Sequence, residues 1–248
     1  MGQSIGSAMN WRHSVVFISA LCLTAWLAAG SAHAQARVGE AVLIQKEVVR
    51  VTGSAASQIN VGDGLLRDET VRTGLESAAR LVMADNTNLS LGPNATLKLD
   101  RTVFNDEHSY RDIAVKLTAG AFRFVTGNSE KAAYKITTPL ATIGVRGTIL
   151  DILSQRGKTA VVLQEGASRV CATGGACIEL TEPGETAIIT STGNGKVTIH
   201  KASTPPWTFA SNCGAAAGLC SITDLADATP AVTPVEDSSD PTGMLCGR

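Results

Sequence analysis

From Ala41 onward the chain repeats one device: a short run of β-branched and aliphatic residues, then a turn built on glycine, asparagine or aspartate. The turns recur about every 8–14 residues, and almost no helical periodicity intervenes. In "TNLSLGPNATLKLD" the residues Leu89, Leu91, Ala95, Leu97 and Leu99 share one face around the interruption Gly92-Pro93-Asn94. In "DIAVKL" Ile113, Val115 and Leu117 do the same, and "GAFRFVTG" adds Phe122 and Phe124. Period two with regular turns restricts the chain to all-β architectures of short strands, a β-sandwich or a β-solenoid, and periodicity does not separate the two.

Residues 1–34 have another pattern. Arg12 and His13 precede an apolar stretch from Ser14 to Gly30, and "SAHA" places small residues at Ala32 and Ala34. A charged head, an apolar core and an A-x-A site predict a signal peptide cut before Gln35. The apolar core falls short of the roughly 20 residues that span a bilayer. The expectation is therefore a periplasmic or secreted protein with no membrane insertion after cleavage. The compact body is expected over residues 39–201. After "STPP" the chain turns to Ala, Ser, Thr, Pro, Gly and Asp, so 203–248 reads as a flexible tail, with Trp207 as a side chain able to pack back.

Removing 1–34 takes Arg12 and no acid, leaving 20 Lys+Arg against 22 Asp+Glu. Such a balance supplies no basic surface for nucleic acid or an anionic membrane. The remaining cysteines are Cys171, Cys177, Cys213, Cys220 and Cys246, an odd number in a compartment where disulfides persist. Cys171 and Cys177 flank "ATGGA", which predicts a hairpin staple, and Cys213 and Cys220 bracket a second Gly/Ala segment as a second candidate pair.

Chemical motifs are sparse. His108 and His200 lack metal-ligand spacing, no Gly-x-Ser-x-Gly elbow occurs, and Cys171 has no evident histidine partner. Asp63, Asp85 and Asp100 lie at turns, without the run of oxygen ligands that calcium needs, and read as solvated turn acids. No metal or cofactor is expected. "NDEHSYRD" (Asn105–Asp112) reads as an exposed loop in which Tyr110 and Arg111 offer a protein-binding surface.

The stretch "TTPLATIGVRGTILDI" (Thr137–Ile152) sets Gly144 and Gly147 around Arg146 in a β-friendly run. Glycine inside a strand pattern marks a bulge, a bend or a close approach. The structural expectation is a tight crossover ahead of a strand from Thr148, with Arg146 reaching the surface or pairing with Asp151.

Six pieces, in order, resemble the FecR domain, the periplasmic β-rich domain of iron-uptake signal transducers. They are "VTG" (Val51–Gly53), "VGDGL" (Val61–Leu65), "VRTG" (Val71–Gly74), Ser77–Asp100, "LTAGAFRFVTG" (Leu117–Gly127) and "YKITTPLATIGVRGTILDI" (Tyr134–Ile152), a match over 51–152. Asp85-Asn86-Thr87 stands where the family has Asp-Gly-Thr, and "RDET" (Arg67–Thr70) replaces a glycine-acid step. Signalling members carry a cytoplasmic sigma-binding segment and a membrane helix where this chain has its signal peptide, so the resemblance implies the exported β-domain without the anti-sigma role. It further implies a non-catalytic protein-binding or regulatory module whose partner is an envelope protein, with Gly144, Arg146 and Gly147 as binding candidates. Two alternatives remain: a polysaccharide- or peptidoglycan-binding module, and self-processing at Gly147–Thr148, where a threonine hydroxyl attacks the preceding carbonyl. The sequence leaves the oligomeric state open.

Overall fold

The computed structural model describes Gly2 and residues 37–106, 109–130 and 134–209, with the side chains of 101–106 and 109–111 outside the description. The chain divides into two units, Met1–Gln35 and Ala36–Arg248, and every described strand belongs to the second. Apart from Gly2, the expected signal peptide lies outside the described residues, as do His108, Cys213, Cys220, Cys246 and all residues beyond 209.

The strands are β1 (Arg37–Gln45), β2 (Val48–Thr52), β3 (Ala55–Gln58), β4 (Gly64–Leu66), β5 (Thr70–Thr73), β6 (Ala78–Met83), β7 (Asn88–Leu91) and β8 (Thr96–Asp106). They continue as β9 (Ser109–Val125), β10 (Tyr134–Thr137), β11 (Ala141–Gln155), β12 (Lys158–Ala172), β13 (Cys177–Leu180), β14 (Thr186–Ser191) and β15 (Val197–Ala202). The all-β expectation holds, but not every strand is short: β9 runs 17 residues and β11 and β12 run 15 each. Of the stretch Asn105–Asp112, expected as a loop, residues 105–106 end β8 and 109–112 begin β9, in a ladder that reaches Asp106↔Ser109.

The fifteen described strands join one hydrogen-bonded sheet, and among them every pair is antiparallel apart from β9–β10. Its ladders separate into two layers. The first runs β3-β2-β5-β8, then the leading half of β9, then β10, the leading half of β11, the trailing half of β12 and β13. The second runs β4-β1-β6-β7, then the trailing halves of β9 and β11, the leading half of β12, β14 and β15. The same three long strands serve both layers. Strands that change sheets through bulges or bends make the corners of a sandwich, so the pairing decides for a sandwich over a solenoid.

One core fills the space between. Leu97, Leu99, Ile113, Val115, Leu117, Ile136 and Ile143 enter it from the first layer, and Leu81, Leu89, Leu91, Phe122, Phe124, Leu150 and Ile152 from the second. The alternation read from the sequence is the alternation of burial here. Each such side chain contributes on the order of 2 kcal/mol of burial. The second layer departs from the pattern: β7 and residues 121–124 of β9 are buried on both faces. Phe209, with Trp207 beside it, packs on that outer face against Ala78, Ala121 and Leu153. Trp207 thus packs back as expected, and Phe209 joins it unforeseen.

Candidate functional site

Two facing glycines build the corner around the glycine-flanked arginine. Gly147 has φ +66° and sits in a β-bulge, where the β11–β12 register shifts between Arg146↔Ala167 and Ile149↔Glu165. Gly166 has φ +84°, and a Cβ on it would lie 2.0 Å from the Gly147 carbonyl oxygen. Only glycine fits there, because any side chain meets backbone that cannot move aside. The expected crossover ahead of a new strand is therefore a bulge inside one continuous strand, and Gly166, not Gly144, is its second glycine. Gly144 lies in regular ladder between Lys135 and Arg169, its nearest prospective neighbour 3.9 Å away, and its carbonyl accepts a bond from Ser168 Oγ at 2.9 Å. Gly120, with φ +107°, marks the corresponding corner of β9.

Arg146 is exposed, as one of the two expectations had it. The other, a pair with Asp151, is overturned: Asp151 is buried and bound by Arg123, whose Nε donates to Oδ1 at 2.6 Å and whose Nη2 donates to Oδ2 at 2.8 Å. Five residues along one extended strand span about 16 Å, beyond a direct pair, and it is Arg123, directly opposite on β9, that meets the carboxylate.

Thr148 is buried beside Thr126. The Thr148 N–H donates to Thr126 Oγ1 at 2.9 Å, and Thr126 Oγ1 donates to the Thr148 carbonyl at 3.0 Å. The two hydroxyls stand 3.5 Å apart. Attack on Gly147 needs a base at the Thr148 hydroxyl. The side-chain neighbour that bonds it is another threonine, not an acid or imidazole.

The remaining sequence candidates lie apart. Tyr110 and Arg111 fall in β9 ahead of its pairing with β10, and β10 separates that strand from Gly144. Cys171 and Cys177 form the expected disulfide across the β12–β13 turn. Asp63 Oδ2 accepts from the Asn60 N–H at 2.8 Å, and exposed Asp100 pairs with Lys98. Asp85, expected in solvent, is fully buried: its oxygens accept from Thr87 N–H (2.9 Å), Ser129 Oγ (2.6 Å) and Tyr134 OH (2.6 Å). Burial, reinforced by the Asp85 carboxylate, pushes the Tyr134 hydroxyl above its ordinary range. Exposed His200 lies on β15. Among described side chains no aromatic is exposed, so a glycan-stacking platform is not formed by them.

Two features escaped the sequence reading. The outer face of the second layer carries a buried polar row, Arg80, Ser90, Arg123 and Asp151, whose members stand opposite one another across β6, β7, β9 and β11. Two arginines and an aspartate at alternate strand positions look like solvent-facing residues until Trp207 and Phe209 come to lie over that face. The second feature is β3. Among the described residues it pairs only with β2 and nothing pairs with its other edge, and Ala55, Ala56, Ser57 and Gln58 are all exposed. The opposite ends of the layers are tied: Lys201 on β15 donates to the Glu179 carbonyl of β13 at 3.0 Å and pairs with Glu185. Among described residues no helix is long and apolar enough to cross a membrane.

A family model described as FecR protein matches residues 69–168. It starts later than the sequence resemblance and runs on to the Gly166 corner. Two crystal structures of a candidate anti-sigma factor from Parabacteroides distasonis are similar, each 17% identical with a TM-score of 0.44. Each match covers 55% of this chain and 60% of the other, so the chain spans less than two thirds of those proteins. No curated protein matches the chain.

Proposed function

Residues 69–168 are a FecR domain, and from that premise we propose that the protein is an exported, non-catalytic regulatory module that binds an envelope protein by strand addition at β3. The open β3 edge carries this reading. An unpaired strand presents a row of N–H and C=O groups that an extended segment of another protein can complete. Proteins that avoid such pairing place charge, proline or a bulge on the edge. Here the four residues are small or neutral, and no charged side chain stands among them. The FecR family's signalling role supports a protein as the occupant.

The turn Gly53-Ser54, with φ +61° at Gly53, closes the β2–β3 hairpin on the pair Thr52↔Ala55. In a two-residue hairpin the closing pair is hydrogen-bonded and pairs alternate from there, so the Ala56 amide points away from β2. Proline at Ala56 therefore blocks an added strand while sparing the hairpin bonds. A photo-crosslinker at Ser57, carried by the full chain in its own cells, should yield one discrete adduct that Ala56→Pro abolishes. An adduct untouched by the proline, or none under any growth condition, overturns the reading.

A further inference from the structure

The polar row on the second layer is incompletely bonded. Arg80, about nine-tenths buried, has Nε and Nη2 without a hydrogen-bond partner, and Arg123, buried more deeply, has Nη1 in the same state. Ser90 Oγ and Asn88 Oδ1, on the strand between them, are also without one, as is Trp207 Nε1. Buried charges left unpaired are costly, and native proteins keep few of them. Arg80 demands an anion; Arg123, whose charge Asp151 already meets, keeps Nη1 in want of an acceptor, and Asn88 Oδ1 demands an N–H donor. A peptide carrying carboxylates supplies all of these.

The chain arrives at this place. Phe209 is buried on the same face, its ring lies 5.4 Å from the Arg123 guanidinium, and its N–H donates to Asp151 at 3.2 Å. Arg80 is two strand spacings from Arg123, about 10 Å. Beyond Phe209 the sequence holds Asp224, Asp227, Glu236, Asp237 and Asp240 against a single base, Arg248. Fifteen residues from Phe209 to Asp224 reach up to about 50 Å, ample for that span.

We propose that Arg80, Asn88, Ser90 and the Nη1 of Arg123 form a carboxylate-binding row that holds the acidic stretch 224–240 of this same chain across β6 and β7. The row is independent of the β3 edge, at the far side of the sheet order, so the two proposals stand or fall separately.

Hydrogen exchange by mass spectrometry on the full chain tests it. The stretch 224–240 should exchange about tenfold or more slowly than the same sequence as a free synthetic peptide. Replacing all five acids (Asp224→Asn, Asp227→Asn, Glu236→Gln, Asp237→Asn, Asp240→Asn) should abolish that protection, and so should Arg80→Met. Protection of 150–165 should stay unchanged in both variants, which shows that the body remains folded. Free-peptide exchange rates in the unaltered chain would overturn the proposal and leave the row to ordered water or another partner. So would protection that survives either variant.

Discussion

Arg123 and Asp151 face each other across the β9–β11 ladder and close a two-pronged ion pair with both side chains inside the protein. Asp151 Oδ2 also accepts from Gln164 Nε2 at 3.0 Å and from the Phe209 N–H at 3.2 Å. The pair thereby joins β9, β11, β12 and the segment after β15. Breaking a buried pair by removing one partner leaves an uncompensated charge, which costs about 3–5 kcal/mol, whereas an apolar replacement of both is often close to neutral. Asp151→Ala and Arg123→Met should each lower stability by that order, and Arg123→Met/Asp151→Leu should recover a large part of it. Denaturant unfolding of the four proteins measures the coupling; simple additivity would refute it.

The glycines around the bulge should differ sharply. Gly166→Ala forces a Cβ to 2.0 Å from the Gly147 oxygen in a left-handed backbone, so a loss above about 3 kcal/mol is expected. Gly147→Ala meets the left-handed penalty of about 1–2 kcal/mol. Gly144→Ala has open space and ordinary strand geometry, and should be neutral or stabilising by about 0.5–1 kcal/mol. Thermal unfolding ranks the three, and a costly Gly144→Ala would contradict the bulge assignment.

Tyr134 and Asp85 clasp the loop after β9 to the turn after β6. The Tyr134 hydroxyl donates to Asp85 and accepts from the Ser129 N–H at 3.1 Å, while its ring stands edge-on to Phe124 with centroids 5.7 Å apart. Tyr134→Phe keeps the ring and removes the hydroxyl, leaving a buried carboxylate oxygen and a buried amide each short of one partner. A loss of about 1–3 kcal/mol is the expected result. Faster amide exchange at Ser129 should accompany it, and an unchanged rate would argue against the clasp.

Glu69 gives the fold a pH dependence. It is fully buried, its oxygens accept no hydrogen bond, and Arg50 Nη1 lies 3.4 Å away. Burial raises its pKa above the usual 4.5, with the Leu66 backbone contact and the Arg50 charge opposing. In the window between 4.5 and the raised folded value the native state binds more protons than the unfolded one, so stability falls as pH rises through it. Glu69→Gln should stabilise at neutral pH by on the order of 1 kcal/mol, with the gain vanishing as pH drops below the unfolded value. A gain that persists at lower pH would show that the Glu69 charge is not its source.

Range decides what the sequence disclosed and what it hid. Ile113, Val115 and Leu117 reveal their face because side chains alternate along a strand whatever it pairs with. Cys171 and Cys177 reveal their bond because a short glycine turn brings them together locally. Asn86, at φ +65°, takes the turn conformation its substitution for glycine suggests. Arg123 in "GAFRFVTG" hides its burial because Phe209, 86 residues later, covers it. Gly144 and Gly147 look alike in sequence, and only the position of Gly166 on the neighbouring strand tells which one is indispensable. The open edge of β3 is likewise a property of sheet order, which no local pattern records.

Phe209 is where those long-range effects can be measured. It lies beyond residue 201, the expected end of the body, in a segment of small and polar residues, yet its ring is fully buried and spans Ala78 on β6, Ala121 on β9 and Leu153 on β11. Phe209→Ala deletes a buried ring and uncovers the Arg123–Asp151 pair, so a loss of about 3–5 kcal/mol is expected. Trp207 is only half-buried, and Trp207→Ala should cost less. If the segment were a passive tail, both substitutions would stay within about 0.5 kcal/mol, the range of ordinary surface changes. Urea midpoints therefore decide between a tail and a structural cover. Because the cover touches Arg123, Phe209→Ala should also weaken the Arg123–Asp151 coupling in a double-mutant cycle, an effect that a tail lying elsewhere would not produce.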